Sequence, residues 1–176
     1  MRVVGRDAAL TNDPMLVATH PDVDVVVEVA GGTSPAREWV LAAIRAGKHV
    51  VTANKALLAT HGNEIFAAAR QHGVTVAYEG AVAVSIPIIK ALREGLSANQ
   101  IQWVAGIING TTNFILSEMR DKGLDFDVVL KEAQRLGYAE ADPTFDIEGV
   151  DAAHKATILS AMAFGIPVQF DKAYVE

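Results

Sequence analysis

The chain has 176 residues, which suits one domain or a domain plus part of another. It is 51% hydrophobic and 20% charged, a globular composition with material for a sizeable core. A net charge of −6 argues against a nucleic-acid groove or an anionic membrane partner, and the lack of cysteine excludes disulfides, thiol nucleophiles and thiolate metal sites.

Residues 1–5 read as a short strand, with Arg6 and Asp7 at its end. This start is not a signal peptide, and no apolar run approaches the ~20 residues of a spanning helix, so a reducing cytoplasm is the expected setting. After a polar stretch, residues 23–30 form a β-branched run typical of a buried parallel strand. Gly31-Gly32 supplies a tight turn, Thr33 or Ser34 a cap, and Pro35 a first helical turn. A helix over residues 36–46 then stops at Gly47, and residues 48–52 are the next strand. Asn54 and Lys55 fall in the following loop. A helix over residues 63–72 ends at Gly73, and residues 74–78 are a third strand. Strand, helix, strand, helix, strand at this spacing predicts a parallel sheet, whose ligands bind beyond the carboxyl ends of the strands. Gly31 to Ser34, Lys55 and Glu79 share that edge.

The pattern changes near residues 80–100, where a second, α+β part begins. It reads as a helix over residues 86–94, a strand over 100–108, a turn at Asn109-Gly110, and helices over 112–122 and 126–136. A helix follows over about 150–164, then the start of a strand over 168–176. Asn109-Gly110-Thr111 matches a glycosylation acceptor, set aside as chance without a secretory signal. The five histidines lack metal-ligand spacing.

Residues 137–155 read G-Y-A-E-A-D-P-T-F-D-I-E-G-V-D-A-A-H-K, dense in carboxylates and broken by a proline. Pro143 disfavours helix at Asp142. Asp151 and Lys155 are four apart on the next helix and share a face. At about 100° per residue that face continues into Ile158, Leu159 and Met162, opposite Ala153 and Thr157. The pair therefore points to a core or cleft, where burial makes a lysine useful for proton transfer. A plain surface ion pair is the alternative. On a nicotinamide-dependent dehydrogenase, Lys155 suits the acid/base, while Asp151 and Glu140 suit a cationic amine. Lys55 can reach cofactor or substrate oxygen, Thr33 can hydrogen-bond the cofactor, Asp7 suits a ribose hydroxyl and Arg6 a 2′-phosphate.

Four motifs, E-V-A-G-G-T-S-P-A-R, G-K-H-V-V-T-A-N-K-A-L-L-A, G-I-I-N-G-T-T-N-F-I-L and the 137–155 stretch, together resemble homoserine dehydrogenase. The resemblance covers essentially the whole chain in order. It implies a partial NAD(P)-binding Rossmann domain over residues 1–85 and an α+β substrate-binding and dimerisation domain over residues 86–176. It further implies NADP- or NAD-linked interconversion of L-homoserine and L-aspartate 4-semialdehyde in a homodimer or higher oligomer. By resemblance, Lys155 is the proton donor, Glu140 and Asp151 bind the amino acid, and Lys55, Thr33 and Gly137 contact the cofactor. The family's sodium loop aligns with residues 79–87, giving Glu79, Val82, Val84 and Ile86 as ligands, with Val84-Ser85 where the family has two glycines. If that backbone needs positive φ, Val84 is strained. The glycine-rich phosphate loop has no counterpart in the sequence, so the chain reads as a fragment. The competing expectation is a non-catalytic fragment that only dimerises.

Overall fold

The computed structural model describes residues 8–175. The strand expected over residues 1–5, together with Arg6 and Asp7, lies outside them.

A short helix α1 (Pro14–Thr19), absent from the sequence reading, opens the described fold. Its signal is local: Asp13 accepts hydrogen bonds from the amides of Met15 and Leu16, and Pro14 occupies the first turn, where no N–H is needed. Three parallel strands follow in spatial order, β1 (Val25–Glu28), β2 (His49–Thr52) and β3 (Val76–Ala77). Val25 sits opposite His49, and Val50 opposite Val76. Helix α2 (Ser34–Arg45) joins the first two strands and α3 (Lys55–His72) the second and third.

The β-branched run forms the strand but is buried on one face only. Val26, Glu28, Val50 and Thr52 point inward, while Val25, Val27 and Val51 stay exposed. Against the covered face pack Val40, Ile44, Leu57, Leu58 and Ile65. Each such aliphatic side chain contributes about 1.5–3 kcal/mol on burial.

Helix α3 starts eight residues earlier than the sequence reading placed it, so Lys55 belongs to a helix N-terminus and not to a loop. Asn54 is the cap, its Oδ1 accepting the Leu57 amide at 3.0 Å. Gly62 lies inside the helix and leaves room for its neighbours: a Cβ there would stand 3.3 Å from Phe66 and 3.4 Å from Val168.

Beyond β3 comes a 3₁₀ turn (Glu79–Ala81), then α4 (Ile88–Lys90), which widens into a π turn over Ala91–Gly95 in place of the regular helix expected. Residues 100–108 make no ladder with any described segment, so the predicted strand is not formed. A strand needs a partner for its backbone groups, and none of the described residues supplies one. Helices α5 (Gly110–Lys122) and α6 (Phe126–Leu136) pair around a small core of Ile115, Val129, Ala133 and Ala139. After α7 (Thr144–Ile147), α8 (Val150–Phe164) returns to the main core through Ile158 and Leu159. The predicted C-terminal strand is instead a 3₁₀ turn over Phe170–Lys172.

Two glycines are needed where they stand. Gly149 precedes α8 at φ 71°, and a Cβ on it would meet Val175 at 2.8 Å. Gly137 ends α6 at φ 79°, a region that L side chains rarely adopt.

Candidate active site

Helix α8 carries Asp151 and Lys155 on one face, and the structure settles which way they point. Asp151 is 5% exposed, and Ile158 and Leu159 continue the buried stripe. The side expected to face away is covered too: Ala153 and Thr157 are buried, as is His154 beside the pair. The pair is therefore not a surface pair.

Two lysines converge on Asp151. Lys155 Nζ lies 2.7 Å from Oδ2, and Lys55 Nζ, from the start of α3, lies 3.1 Å from Oδ1. Lys155 also donates to the carbonyl of Ile108 at 2.9 Å. An ammonium has three donors, so these two bonds leave one N–H for a ligand oxygen. Burial pushes the Asp151 carboxyl up, but hydrogen bonds from Lys155, Asn109 and Lys55 outweigh it and hold the group below the ordinary carboxylate range.

Two further residues complete the cluster, and the sequence reading assigned a role to neither. Asn109 Nδ2 donates to Asp151 Oδ2 at 3.0 Å and to Asp146 Oδ1 at 2.7 Å. Asn109 had read only as a turn and a chance glycosylation acceptor. The usable signal is its place before a helix: Oδ1 caps α5 through the Thr112 amide.

A second buried network lies at the carboxyl ends of β1 and β2. Glu28, 5% exposed, accepts the amides of Ala30 and Gly31 on Oε1 and the Thr52 hydroxyl on Oε2. Thr52 Oγ1 accepts the Asn54 amide, and Asn54 Nδ2 donates to the Gly32 carbonyl at 2.7 Å. This chain of bonds ties the Gly31-Gly32 turn to the helix end that bears Lys55.

The two lysines face different clefts. One, of about 270 Å³, is lined by Val29, Gly31, Gly32, Asn54, Lys55 and Phe145 among others. Both glycines have positive φ, and a Cβ on either would project into open space, so their bare backbone is exposed to a ligand. Apolar walls, open glycine backbone and a lysine at the strand ends fit a dinucleotide cofactor. The other cleft, of about 440 Å³, has Lys155, Asn109, Asn113, Ile107 and Ile86 in its wall. Asp151 stands between them, bonded to the lysine of each. A larger cleft of about 730 Å³ between α3 and α8, lined by Phe66, Arg70 and Met162, holds no acid–base pair.

The remaining predicted residues fare differently. Thr33 is half-buried beside the glycine turn and precedes α2 without a side-chain capping bond. Gly137 is exposed at the end of α6. Glu140 is exposed, and its side chain makes no hydrogen bond or ion pair among the described residues; Gln134 braces its backbone carbonyl. Glu79 caps α4, accepting the amides of Ile89 at 2.8 Å and Lys90 at 2.9 Å. The Ile86 carbonyl accepts the Ile88 amide at 2.8 Å. Val84 sits at φ 52°, the strained conformation anticipated for it. The bonds at Glu79 and Ile86 use one lone pair on each oxygen and leave another, so they do not by themselves close the loop to a cation. Among the described residues, no group of three or more His, Asp or Glu side chains can hold a metal ion.

Two family models match the chain. Residues 87–176 match the family model described as homoserine dehydrogenase, and residues 3–79 match the homoserine dehydrogenase NAD binding domain. The chain belongs to the homoserine dehydrogenase family. A homoserine dehydrogenase from Pseudomonas aeruginosa is 70% identical over 167 residues, 95% of this chain and 38% of the relative. One from Neisseria gonorrhoeae is 63% identical over 175 residues, 99% of this chain and 40% of the relative. The chain thus spans about two fifths of the length of these curated homoserine dehydrogenases. A crystal structure of the Thiobacillus denitrificans homoserine dehydrogenase superposes with a TM-score of 0.92 at 72% identity, covering 94% of this chain and 38% of that one. A hyperthermophilic archaeal homoserine dehydrogenase in complex with NADPH gives 0.83 at 32% identity, covering 93% and 51%. No described helix is long and apolar enough to cross a membrane.

Proposed function

We propose that this chain carries the catalytic centre of a homoserine dehydrogenase, which interconverts L-homoserine and L-aspartate 4-semialdehyde with NADP or NAD. The observation that carries the reading is the convergence of Lys55 and Lys155 on Asp151, each lysine in the wall of its own cleft. The NADPH bound to the archaeal relative favours the phosphorylated cofactor.

NAD(P), when bound, supplies or accepts the hydride. Gly31, Gly32, Thr33 and Lys55 are the residues placed to hold it. The chain's own residues then handle the proton. In the reducing direction the unused N–H of Lys155 donates to the aldehyde oxygen as negative charge develops there. In the oxidising direction a neutral Lys155 takes the hydroxyl proton. Asp151 orients Lys155 and balances its charge. It also offers a partner to the substrate's ammonium, in competition with Lys55. Glu140, unpaired and exposed, is free to turn toward the same ammonium.

In this reading residues 1–85 form the cofactor half and residues 86–176 the substrate and dimerisation half of a cytoplasmic homodimer. The unpaired segment 100–108, with Trp103 74% and Ile107 82% exposed, is the natural place for a partner strand. The high identity to enzymes favours this reading over a non-catalytic dimerising piece.

The test follows NAD(P)H absorbance with homoserine in the full-length enzyme and its Lys155→Ala variant. General acid/base loss predicts a fall in kcat of about 10²–10⁴-fold with little change in Tm. Near-normal turnover would sink the assignment of Lys155.

A further inference from the structure

Asn109 spends every hydrogen bond its side chain can make. Its Oδ1 accepts the Thr112 amide at 2.8 Å and the Thr112 hydroxyl at 2.9 Å. Its Nδ2 donates to Asp146 at 2.7 Å and Asp151 at 3.0 Å. The backbone amide of Thr112 can only donate, so it fixes which atom is oxygen and turns the NH₂ toward the carboxylates. The residue is 8% exposed, so no water readily replaces these bonds. The next residue back, Ile108, offers its carbonyl to Lys155 Nζ at 2.9 Å. Residues 108 and 109 thus grip both members of the Asp151–Lys155 pair from outside α8.

We propose that Asn109 is a positioning residue for the reaction, clamping Asp146 of α7 and Asp151 of α8 through one amide NH₂ and thereby fixing where Lys155 points. The proposal rests on the reading of Lys155 as the proton-transfer group. Three elements meet at this side chain: the start of α5, the short α7 and the first turn of α8. Without the amide donors, two carboxylates would face each other with no proton between them. Asp151 would be free to swing toward Lys55, taking Lys155 off the Ile108 carbonyl.

The clamp has a chemical signature that mere packing lacks. Asn109→Asp keeps size, shape and the cap on α5, but replaces the two donors with an oxygen facing two carboxylates. Like charges raise the proton affinity of such a cluster. A proton taken up by it restores a donor at that position. The other groups around the cluster are Lys55 from α3 and Lys155 and His154 from α8.

The experiment measures kcat and KM from pH 6 to 9 for the full-length enzyme and its Asn109→Asp, Asn109→Ser and Lys155→Ala variants. For Asn109→Asp we expect kcat/KM near pH 8.5 to fall between about tenfold and about hundredfold, the loss expected from a buried bond to a charged group. Relative to the wild type it recovers as pH falls. Asn109→Ser keeps a capping oxygen without the donors; its kcat falls by a pH-independent factor while KM for NADP stays within about twofold of the wild type. A ratio of Asn109→Asp to wild type that is flat with pH, with Lys155→Ala inactive, overturns the clamp alone. If Asn109→Asp does not fold, an unchanged kcat in Asn109→Ser overturns it. Normal turnover in Lys155→Ala overturns the underlying reading and the clamp with it.

Discussion

Glu28 and Asp151 are equally buried carboxylates at two places in one molecule, and their surroundings could hardly differ more. Glu28 is held by two backbone amides and a threonine hydroxyl, all neutral and all fixed by the fold. Asp151 is held by two lysines and an amide side chain, and both lysines reach into clefts. The first carboxylate fastens a turn to a helix. The second sits among mobile charges that a ligand can rearrange. Burial alone does not mark a site of chemistry; the kind of donor around the buried group does.

Removing each charge in the full-length enzyme should separate the two. Asp151→Asn should lower kcat by about 10²-fold or more, because Lys155 loses its orienting anion. Thermal stability should change less, since asparagine keeps an acceptor oxygen, Lys155 keeps the Ile108 carbonyl and Lys55 can turn to water. Glu28→Gln should do the reverse. An NH₂ in place of Oε2 cannot accept the Thr52 hydroxyl, so that O–H loses its acceptor and one bond in a dry network fails. That costs about 1–3 kcal/mol in urea unfolding, with kcat within about tenfold of normal and the main kinetic effect on KM for the cofactor. If Glu28→Gln abolished turnover at unchanged stability, the contrast would break.

A third carboxylate-free probe sharpens the comparison. His154, 4% exposed between the rings of Phe145 and Phe170, leaves Nδ1 without a hydrogen-bond partner. Burial, and then the nearby charge of Lys55, keep it from protonating until below its ordinary range. The unfolded chain therefore binds the proton first, and stability should decline as pH falls below about 6.5. His154→Phe should flatten that decline between pH 7 and 5 in urea titrations. A decline of unchanged slope would assign it to other groups.

The smallest effect is expected at Val84, which is 77% exposed at φ 52°. Val84→Gly removes left-handed strain of about 1–2 kcal/mol but adds unfolded-chain entropy. A net gain of about 0.5–1 kcal/mol should appear as a small rise in Tm. A fall in Tm would mean the strain is absent.

The sequence foretold these regions unevenly. The ends of helices α6 and α8 were legible because each stops at a glycine in the left-handed region, Gly137 and Gly165. The face of α8 bearing Asp151 and Lys155 followed from spacing. The start of α3 did not, because Asn54, its cap, reads equally well as a loop residue. The role of Asn109 was hidden for a different reason. Its partners lie 37 and 42 residues away, and only the turn at α7 brings them to one nitrogen. Residues 100–108 have a strand-like composition, but a ladder is a property of two segments.

Glu79 carries one more consequence. It stands just past β3 and grips the amides of Ile89 and Lys90, so a single side chain fastens the sheet's end to the start of the second half. On the other side of that fastening, the bond from Lys55 to Asp151 joins α3 to α8. The same seam is also closed by Ile158 and Leu159 of α8, which enter the main core, and by Asn63, which donates to the Val168 carbonyl at 2.9 Å and accepts its amide at 2.8 Å. An amine that displaced Lys55 from Asp151 would release one charge at a seam that the packing and the other bonds keep shut.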